Sequence, residues 1–164
     1  MRIADLLRQK GELVRSVDRH VTVREAIRLM AVHNVGALLV FEQEAALLEV
    51  ANNGAAWLSS AALLGIVSER EILFGLAKHD MLVLDSTVAE IMVVDVPVAL
   101  PADSIQHAMA VMTHARVRHL PVVDDGKVTG LISIGDVVKS RLDEKIEENA
   151  VLQDMARLSR VLAA

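Results

Sequence analysis

An internal repeat constrains the fold of this 164-residue chain more than any other feature. Residues 22–30, TVREAIRLM, parallel residues 104–112, SIQHAMAVM, 82 positions later. Each copy begins with a hydroxyl residue suited to a helix N-cap, and Thr22 with Glu25 has the pattern of a capping box. Both copies then carry apolar residues at helical spacing, namely Val23, Ala26, Ile27 and Met30 in the first and Ile105, Ala108, Met109 and Met112 in the second. The chain is therefore expected to fold as two similar halves.

Two short strands are predicted to follow each of these helices. Residues 37–41 and 120–123 are rich in apolar and β-branched side chains. The repeat resumes at residues 65–68, GIVS, and at residues 130–133, GLIS, now 65 positions apart. Each copy therefore predicts the order strand, helix, strand, strand, helix. A unit of about 50 to 60 residues cannot bury its sheet alone, so the two units should pack sheet to sheet.

The connection between the two strands is longer in the first copy. In the second copy, Asp124-Asp125-Gly126 is a tight-turn signal. The first copy has 17 more residues here, and they predict an extended hairpin over about residues 42–64 with Asn53-Gly54 at its turn. Trp57 lies in this hairpin, either as an exposed anchor or, as we expect, packed onto the body of the chain.

Composition excludes several classes of function. Aromatic residues make up only 2% of the chain and the net charge is −5, so the stacking faces and basic blocks of a nucleic-acid binder are missing. The chain has no cysteine, which excludes disulfides and thiolate sites. The longest uncharged run, between Glu49 and Glu69, contains polar residues that would be costly in lipid, and the N-terminus lacks the apolar core of a secretory signal. We therefore expect a cytoplasmic protein with no membrane or nucleic-acid partner.

The sequence shows no catalytic or metal-binding pattern. None of the six histidines belongs to an H-x-x-x-H motif or to a carboxylate cluster. No arrangement of a nucleophile with a paired acid and base stands out either. We therefore expect no enzyme activity and no metal requirement.

One motif ends the last strand of each copy and carries both a hydroxyl and a carboxylate. It reads GIVSERE at residues 65–71 and GLISIGD at residues 130–136, so that Ser68 precedes Glu71 and Ser133 precedes Asp136 by three positions. Taken alone, such a pair is most simply a helix N-cap. Its repetition at the same place in both copies favours a binding site instead.

These repeated motifs, taken in order, resemble a tandem pair of CBS domains, which are named for cystathionine β-synthase. The resemblance covers roughly residues 8–142, and residues 116–139 of the second copy are the more typical. It is closest to free-standing bacterial proteins that consist of little more than one such pair. The resemblance implies an α/β (α+β) fold of two repeats packed sheet to sheet with pseudo-twofold symmetry, plus terminal helices.

The resemblance also divides the chain. An N-terminal helix is expected at residues 1–10, repeat 1 at 11–80, repeat 2 at 88–142 and a C-terminal amphipathic helix at 143–164. The apolar sides of the terminal helices must cover something. Because CBS pairs commonly dimerise, we expect a homodimer, with docking of an unidentified protein partner as the alternative. These apolar sides comprise Ile3, Leu6 and Leu7 at one end and Leu142, Ile146, Met155, Leu158 and Leu162 at the other.

By the same resemblance, the motif of the second copy holds a nucleotide. Asp136 would accept hydrogen bonds from the ribose hydroxyls, and Ser133 with the start of the helix would bind the phosphate. Gly135 leaves room for close approach of the backbone. Arg118 and His119 would supply positive charge to this site, whereas the equivalent residues of the first copy are uncharged.

Weaker expectations concern the adenine and a second site. Adenine is expected to contact residues of the first copy, namely Lys10, Gly11, Val14, Arg15, Val35 and Gly36. A second site would consist of Ser68, Arg70 and Glu71. It departs from the family pattern, because Glu71 stands where Asp is usual and its extra methylene moves the carboxylate about 1.5 Å further out.

The expected function is therefore that of a regulatory adenine-nucleotide sensor. AMP is the leading ligand because a single phosphate suits a single cluster of Ser133, Arg118 and His119. ADP, ATP or NAD(H) could bind through the same AMP portion. The alternatives are a ligand-free structural module for dimerisation or docking, in which the serines and carboxylates act only as caps, and, third, an enzyme.

Overall fold

The computed structural model describes residues 1–11, 14–42 and 62–162, except for the side chains of Asp154 and residues 156–162. The extended hairpin predicted between residues 42 and 64 lies mostly outside the described residues, as do Asn53-Gly54 and Trp57. The elements in chain order are α1 (Ile3–Lys10), β1 (Ser16–Asp18), α2 (Val23–His33), β2 (Ala37–Phe41), β3 (Leu63–Ser68), α3 (Glu69–His79), two 3-10 helices (Asp80–Asp85 and Val88–Glu90), α4 (Ile105–Ala115), β4 (His119–Asp124), β5 (Lys127–Ser133) and α5 (Ile134–Leu162).

The two repeats have the predicted order of elements, with one difference. In the first repeat, β1 runs parallel to β2, and β2 pairs antiparallel with β3. In the second repeat, β4 pairs antiparallel with β5. The first strand of this repeat is reduced to a single parallel bridge between Ala99 and Val122.

The two repeat helices start as their sequences predict. The Thr22 hydroxyl accepts a hydrogen bond from the backbone N–H of Glu25, and the Glu25 carboxylate accepts one in return from the N–H of Thr22. Ser104 caps α4 through the N–H of His107. The helix that follows Thr22 buries Val23, Ala26 and Met30, and α4 buries the equivalent Ile105, Ala108 and Met112.

Each repeat packs against a segment that directly precedes the other repeat in the chain. Helix α1 precedes the first repeat but packs on the second, where the N–H of Ile3 donates to the carbonyl of Asp103. The 3-10 helices precede the second repeat but pack on the first, where the N–H of Val23 donates to the carbonyl of Ser86. This exchange ties the two halves together.

The position of α1 corrects one expectation. Its apolar side, Ile3, Leu6 and Leu7, is buried in the core of the second repeat and is not available to another chain. The helix ends as predicted at Gly11, which has a φ of +86°. Sequence periodicity identified the apolar side but not the surface that it covers.

The two sheets pack against each other. A shared apolar core contains Leu39 and Ile66 of the first repeat, Val128 of the second, and Val14 from the segment before β1. All four side chains are buried. The predicted sheet-to-sheet packing is therefore present, and it brings the strand ends of the two repeats close to one another.

The last helix of the second repeat and the predicted C-terminal helix are one continuous helix, α5. Its first turns are anchored by Val137 and Ser140, which are buried. Further on, Leu142 and Ile146 are each 58% exposed, and Met155 is also exposed. The side chains of Leu158 and Leu162 lie outside the described part. Across the ranges described above, no helix is both long and apolar enough to cross a bilayer.

Candidate functional site

The candidate site forms around two equivalent turns, where β3 meets α3 and where β5 meets α5. Ser68 ends β3 and Ser133 ends β5. The N–H of Glu69, which begins α3, donates to the carbonyl of Gly36 over 3.1 Å. The N–H of Ile134, which begins α5, donates to the carbonyl of Arg118 over 2.8 Å. Each turn is thus hydrogen-bonded to the residue that precedes the paired strand of the same repeat, which is β2 in the first repeat and β4 in the second.

The turn of the second repeat is capped by its own side chains. The Ser133 hydroxyl accepts a hydrogen bond from the N–H of Asp136 over 3.2 Å. Asp136 Oδ2 accepts from the N–H of Ser133 (2.8 Å) and from its hydroxyl (2.7 Å). Within the part of the chain that the structure describes, no hydrogen bond reaches the other carboxylate oxygen, Oδ1. The capping role is therefore real, but it uses only one oxygen of Asp136.

A cation from the far end of the chain also contacts this carboxylate. Lys10 Nζ lies 2.6 Å from Asp136 Oδ2 and donates to the carbonyl of Leu131 over 3.0 Å. Burial by itself raises the pKa of Asp136, but the hydrogen bonds from Lys10 and Ser133 outweigh it and lower that pKa below its usual value. Lys10, expected on the adenine side, thus has its ammonium on the expected ribose acceptor.

The turn of the first repeat is capped in a similar way despite its longer acid, although its hydroxyl accepts from a different backbone N–H. The Ser68 hydroxyl accepts from the N–H of Arg70 over 3.3 Å. Glu71 Oε2 accepts from the N–H of Ser68 over 3.1 Å and from the Ser68 hydroxyl. The extra methylene was expected to move the carboxylate outward. In the structure the Glu71 side chain folds back instead, because Ser68 offers two donors to one oxygen.

A cavity of about 510 Å³ lies between the two repeats, beside the first turn. The first repeat and the linker after it contribute Ser68, Arg70, Glu71, Phe74, Lys78, His79 and Glu90, while the second repeat contributes Arg116, Val117, Arg118 and His119. Arg118 and His119 were expected to serve Asp136, but they line a cavity with Ser68 and Glu71. The reason is the sheet-to-sheet packing, which places the start of β4 opposite the end of β3.

His119 lies within electrostatic range of both turns. Burial lowers its pKa more than any other influence does, and Lys10 lowers it further. The carboxylates of Glu71, Asp136 and Glu69 act in the opposite direction without overcoming the burial. The ring is therefore neutral at pH 7, and one of its nitrogens is free to accept a hydrogen bond.

Arg70 joins the two repeats at the edge of the cavity. Its guanidinium lies 5.3 Å from the centre of the Phe74 ring, and one of its nitrogens donates to the carbonyl of Arg116 over 3.2 Å. Sequence reasoning singled out Arg70 but missed Arg116, Lys78 and His79. The basic run Arg116-Val117-Arg118-His119 was the available signal, since three of its four side chains can carry a proton.

The other expected adenine contacts are dispersed. Val14 is buried in the core between the sheets, and the carbonyl of Arg15 accepts a hydrogen bond from the N–H of Leu39. Val35 and Gly36 line a different cavity, of about 640 Å³, between α2 and α3. Gly135 has ordinary space around it, since an added Cβ would lie 3.6 Å from the Ser133 hydroxyl. The fold itself therefore does not require a glycine at this position, and close approach of a ligand to Gly135 stays a prediction.

Comparison with known proteins identifies the family. The CBS domain model matches residues 88–143. A mitochondrial CBS domain-containing protein of Arabidopsis thaliana, CBSX3, is 31% identical over 164 residues, which cover 92% of this chain and 71% of that protein.

Solved structures agree with this result. A CBS-domain containing protein from Agrobacterium tumefaciens superposes with a TM-score of 0.72 at 31% identity, over 85% of this chain and 92% of that one. A CBS domain protein from Pyrobaculum aerophilum, complexed with AMP, has a TM-score of 0.63 at 25% identity, over 83% of this chain and 89% of that one. With its two repeats and these relatives, the chain belongs to the CBS-domain family, as a tandem CBS pair.

Proposed function

We propose that this CBS pair is a regulatory module without catalytic activity that binds an adenine nucleotide, AMP foremost, between its repeats. One observation carries the proposal. The cavity of about 510 Å³ combines a serine-capped helix start from one repeat with the cations Arg116 and Arg118 and the neutral His119 from the other. Helix starts and cations are both suited to phosphate.

The principal ribose contact is assigned to Asp136, which does not line this cavity but acts, as Glu71 does, on His119, which lines it. Two hydroxyls on adjacent ribose carbons present two donors, and a carboxylate offers two acceptors. Asp136 Oδ1 accepts no hydrogen bond from a described residue and can take one ribose hydroxyl, whereas Oδ2 is shared with the cap and with Lys10 and can take the second hydroxyl once Lys10 leaves it. Glu71 is the weaker acceptor, because its longer side chain is folded back onto Ser68.

AMP is the leading ligand. Arg118 lines the cavity beside Ser68, so it does not form one phosphate cluster with Ser133 as the sequence predicts. The choice of AMP is supported by the Pyrobaculum aerophilum relative, whose structure is complexed with AMP. ADP, ATP and NAD(H) contain the same AMP portion and are the next ligands to test.

Regulation would follow from differential binding. A nucleotide that contacts both repeats favours the relative orientation in which it binds best. The surface that this orientation presents would then alter the affinity for a protein partner or for a second copy of the chain.

Calorimetric titration of nucleotide-free protein with AMP, ADP, ATP and NADH tests the proposal. Binding is expected for the wild type and a loss of at least tenfold in affinity for Asp136→Ala, because the charged acceptor is removed. Asp143→Ala is the matched control, since Asp143 is an exposed acid on the same helix. Equal binding by both variants would contradict the assignment of Asp136.

A ligand-free structural module is the second candidate, and the capping geometry favours it. Ser133 with Asp136 and Ser68 with Glu71 both form complete caps without any ligand. The absence of both heat and a thermal shift with all four nucleotides, for protein that is folded by circular dichroism, would favour this candidate over the first.

A further inference from the structure

Lys10 connects the end of α1 to the carboxylate that is assigned to the ribose. Its ammonium hydrogen-bonds to Asp136 Oδ2 and to the carbonyl of Leu131. Both residues are more than 120 positions after Lys10 in the sequence. The Lys10 side chain is 37% exposed, so its outer part borders solvent. The pair is therefore fixed in position but accessible to a ligand.

The carboxylate of Asp136 is one of several that act on the same histidine, His119. The carboxylates of Asp136, Glu69 and Glu71 all act on His119, which places three acids within range of one ring. The first repeat has Gly36 and Ala37 at the positions equivalent to Arg118 and His119, and its Arg70 is engaged by the Phe74 ring and the carbonyl of Arg116. His119 itself is neutral at pH 7, since burial lowers its pKa. A phosphate next to Asp136 would be repelled unless a cation accompanied it.

We propose that Lys10 determines specificity at this site by exchanging partners when a phosphorylated ligand binds. In the free protein its ammonium neutralises Asp136. When ribose hydroxyls occupy the carboxylate, the ammonium moves to the phosphate of the same ligand. A lysine is suited to this exchange because its ammonium is a compact charge with three donors on a flexible stem.

The exchange makes Lys10 act in opposite directions on two ligands. For AMP, the lost contact with Asp136 is replaced by a contact with phosphate. For adenosine, which has no phosphate, the lysine only competes with the ribose for the carboxylate. This inference rests on the proposed function, since it presumes that an adenosine ligand binds at Asp136.

The test is to measure dissociation constants for AMP and adenosine with wild type, Lys10→Met and Lys10→Arg. Methionine keeps an apolar stem without charge, and arginine keeps the charge. Lys10→Met is expected to weaken AMP binding about tenfold while adenosine binds as well as before or more tightly, and Lys10→Arg should preserve the preference for AMP. Lys145→Met is the matched control, because Lys145 also pairs with a carboxylate, that of Glu148, on an exposed helix face.

Two results would overturn the inference. An unchanged ratio of the AMP and adenosine constants in Lys10→Met would remove Lys10 from specificity; if both constants rose equally and thermal unfolding showed a loss of stability, Lys10 would only support the fold. If the wild type bound neither ligand, the proposed function itself would fail, and the inference with it.

Discussion

The carbonyl oxygen of Val93 lies where Gly65 has no side chain: a Cβ added at Gly65 would be 2.2 Å from it. The linker approaches this closely because the N–H of Ile66 donates to Val93 over 3.0 Å and the N–H of Val93 donates back over 2.9 Å. At Gly130, the equivalent position of the second repeat, an added Cβ would be 2.6 Å from Cδ2 of Leu7. Both glycines thus lie where a segment from outside the repeat crosses its last strand.

Alanine at these two glycines is expected to destabilise the fold unequally. Gly65→Ala should cost about 3 kcal/mol or more, since the backbone of Val93 and its two hydrogen bonds with Ile66 must move. Gly130→Ala should cost about 1 to 2 kcal/mol, because the end of a leucine side chain can shift. Urea unfolding measures both. Gly135→Ala is the control, since its added Cβ has only ordinary contacts and stability should be retained.

Glu71→Asp is expected to create a second ribose acceptor. The shorter acid would give the first turn the same pair of residue types as the second, where Asp136 leaves Oδ1 open. Nucleotide stoichiometry by calorimetry should rise from about one towards two per chain. Glu71→Gln keeps the length of the side chain and should leave the stoichiometry unchanged. An increase in both variants would mean that removing charge, not the position of the carboxylate, permits binding.

The helix caps are expected to contribute measurably to stability. Thr22→Ala removes the acceptor for the N–H of Glu25 and should lower the free energy of unfolding by about 1 kcal/mol. Ser104→Ala should cost a similar amount through the N–H of His107. Thr22→Ser, which keeps the hydroxyl, should lose less than Thr22→Ala. Equal losses for the two substitutions at Thr22 would attribute the effect to the methyl group.

Buried His119 is expected to make stability depend on pH. Because its pKa is lower when folded than when unfolded, the unfolded chain binds the proton first, and stability falls as the pH drops through about 6.5. Between about pH 8 and pH 5, wild type should therefore lose more free energy of unfolding than His119→Gln. The lowered pKa of Asp136 acts only below about pH 4, outside this interval. Parallel curves for the two proteins would exclude His119 as the cause.

The exposed face of α5 is expected to mediate dimerisation, as the sequence predicts. Leu142 and Ile146 are more than half exposed on a helix that extends beyond the residues anchoring it. Light scattering should show a dimer for wild type and a monomer for the double variant Leu142→Glu, Ile146→Glu. Leu82→Glu is the control, because Leu82 is also apolar and even more exposed but lies on a 3-10 helix. A monomeric wild type would leave docking of another protein as the role of this face.

Local features were predictable because they depend on neighbouring residues. The capping box of Thr22 and Glu25, the end of α1 at Gly11 and the two serine-capped turns are all formed within a few positions of the chain. The relation of Arg118 to Asp136 was not predictable in this way. Proximity along one repeat suggested a shared site, but the side chain of Arg118 lines a cavity with the other repeat.

The two repeats and the order of their elements can be read from the sequence, because helical periodicity and turn residues depend on neighbours along the chain, and the repeated motifs carry the resemblance to the family. Which surfaces meet depends on the folded structure. It placed α1 on the second repeat and the 3-10 helices on the first, and it brought Lys10 to Asp136. The physical reason is that an apolar face specifies that it must be buried, whereas its partner is selected by shape and packing among elements far apart in sequence.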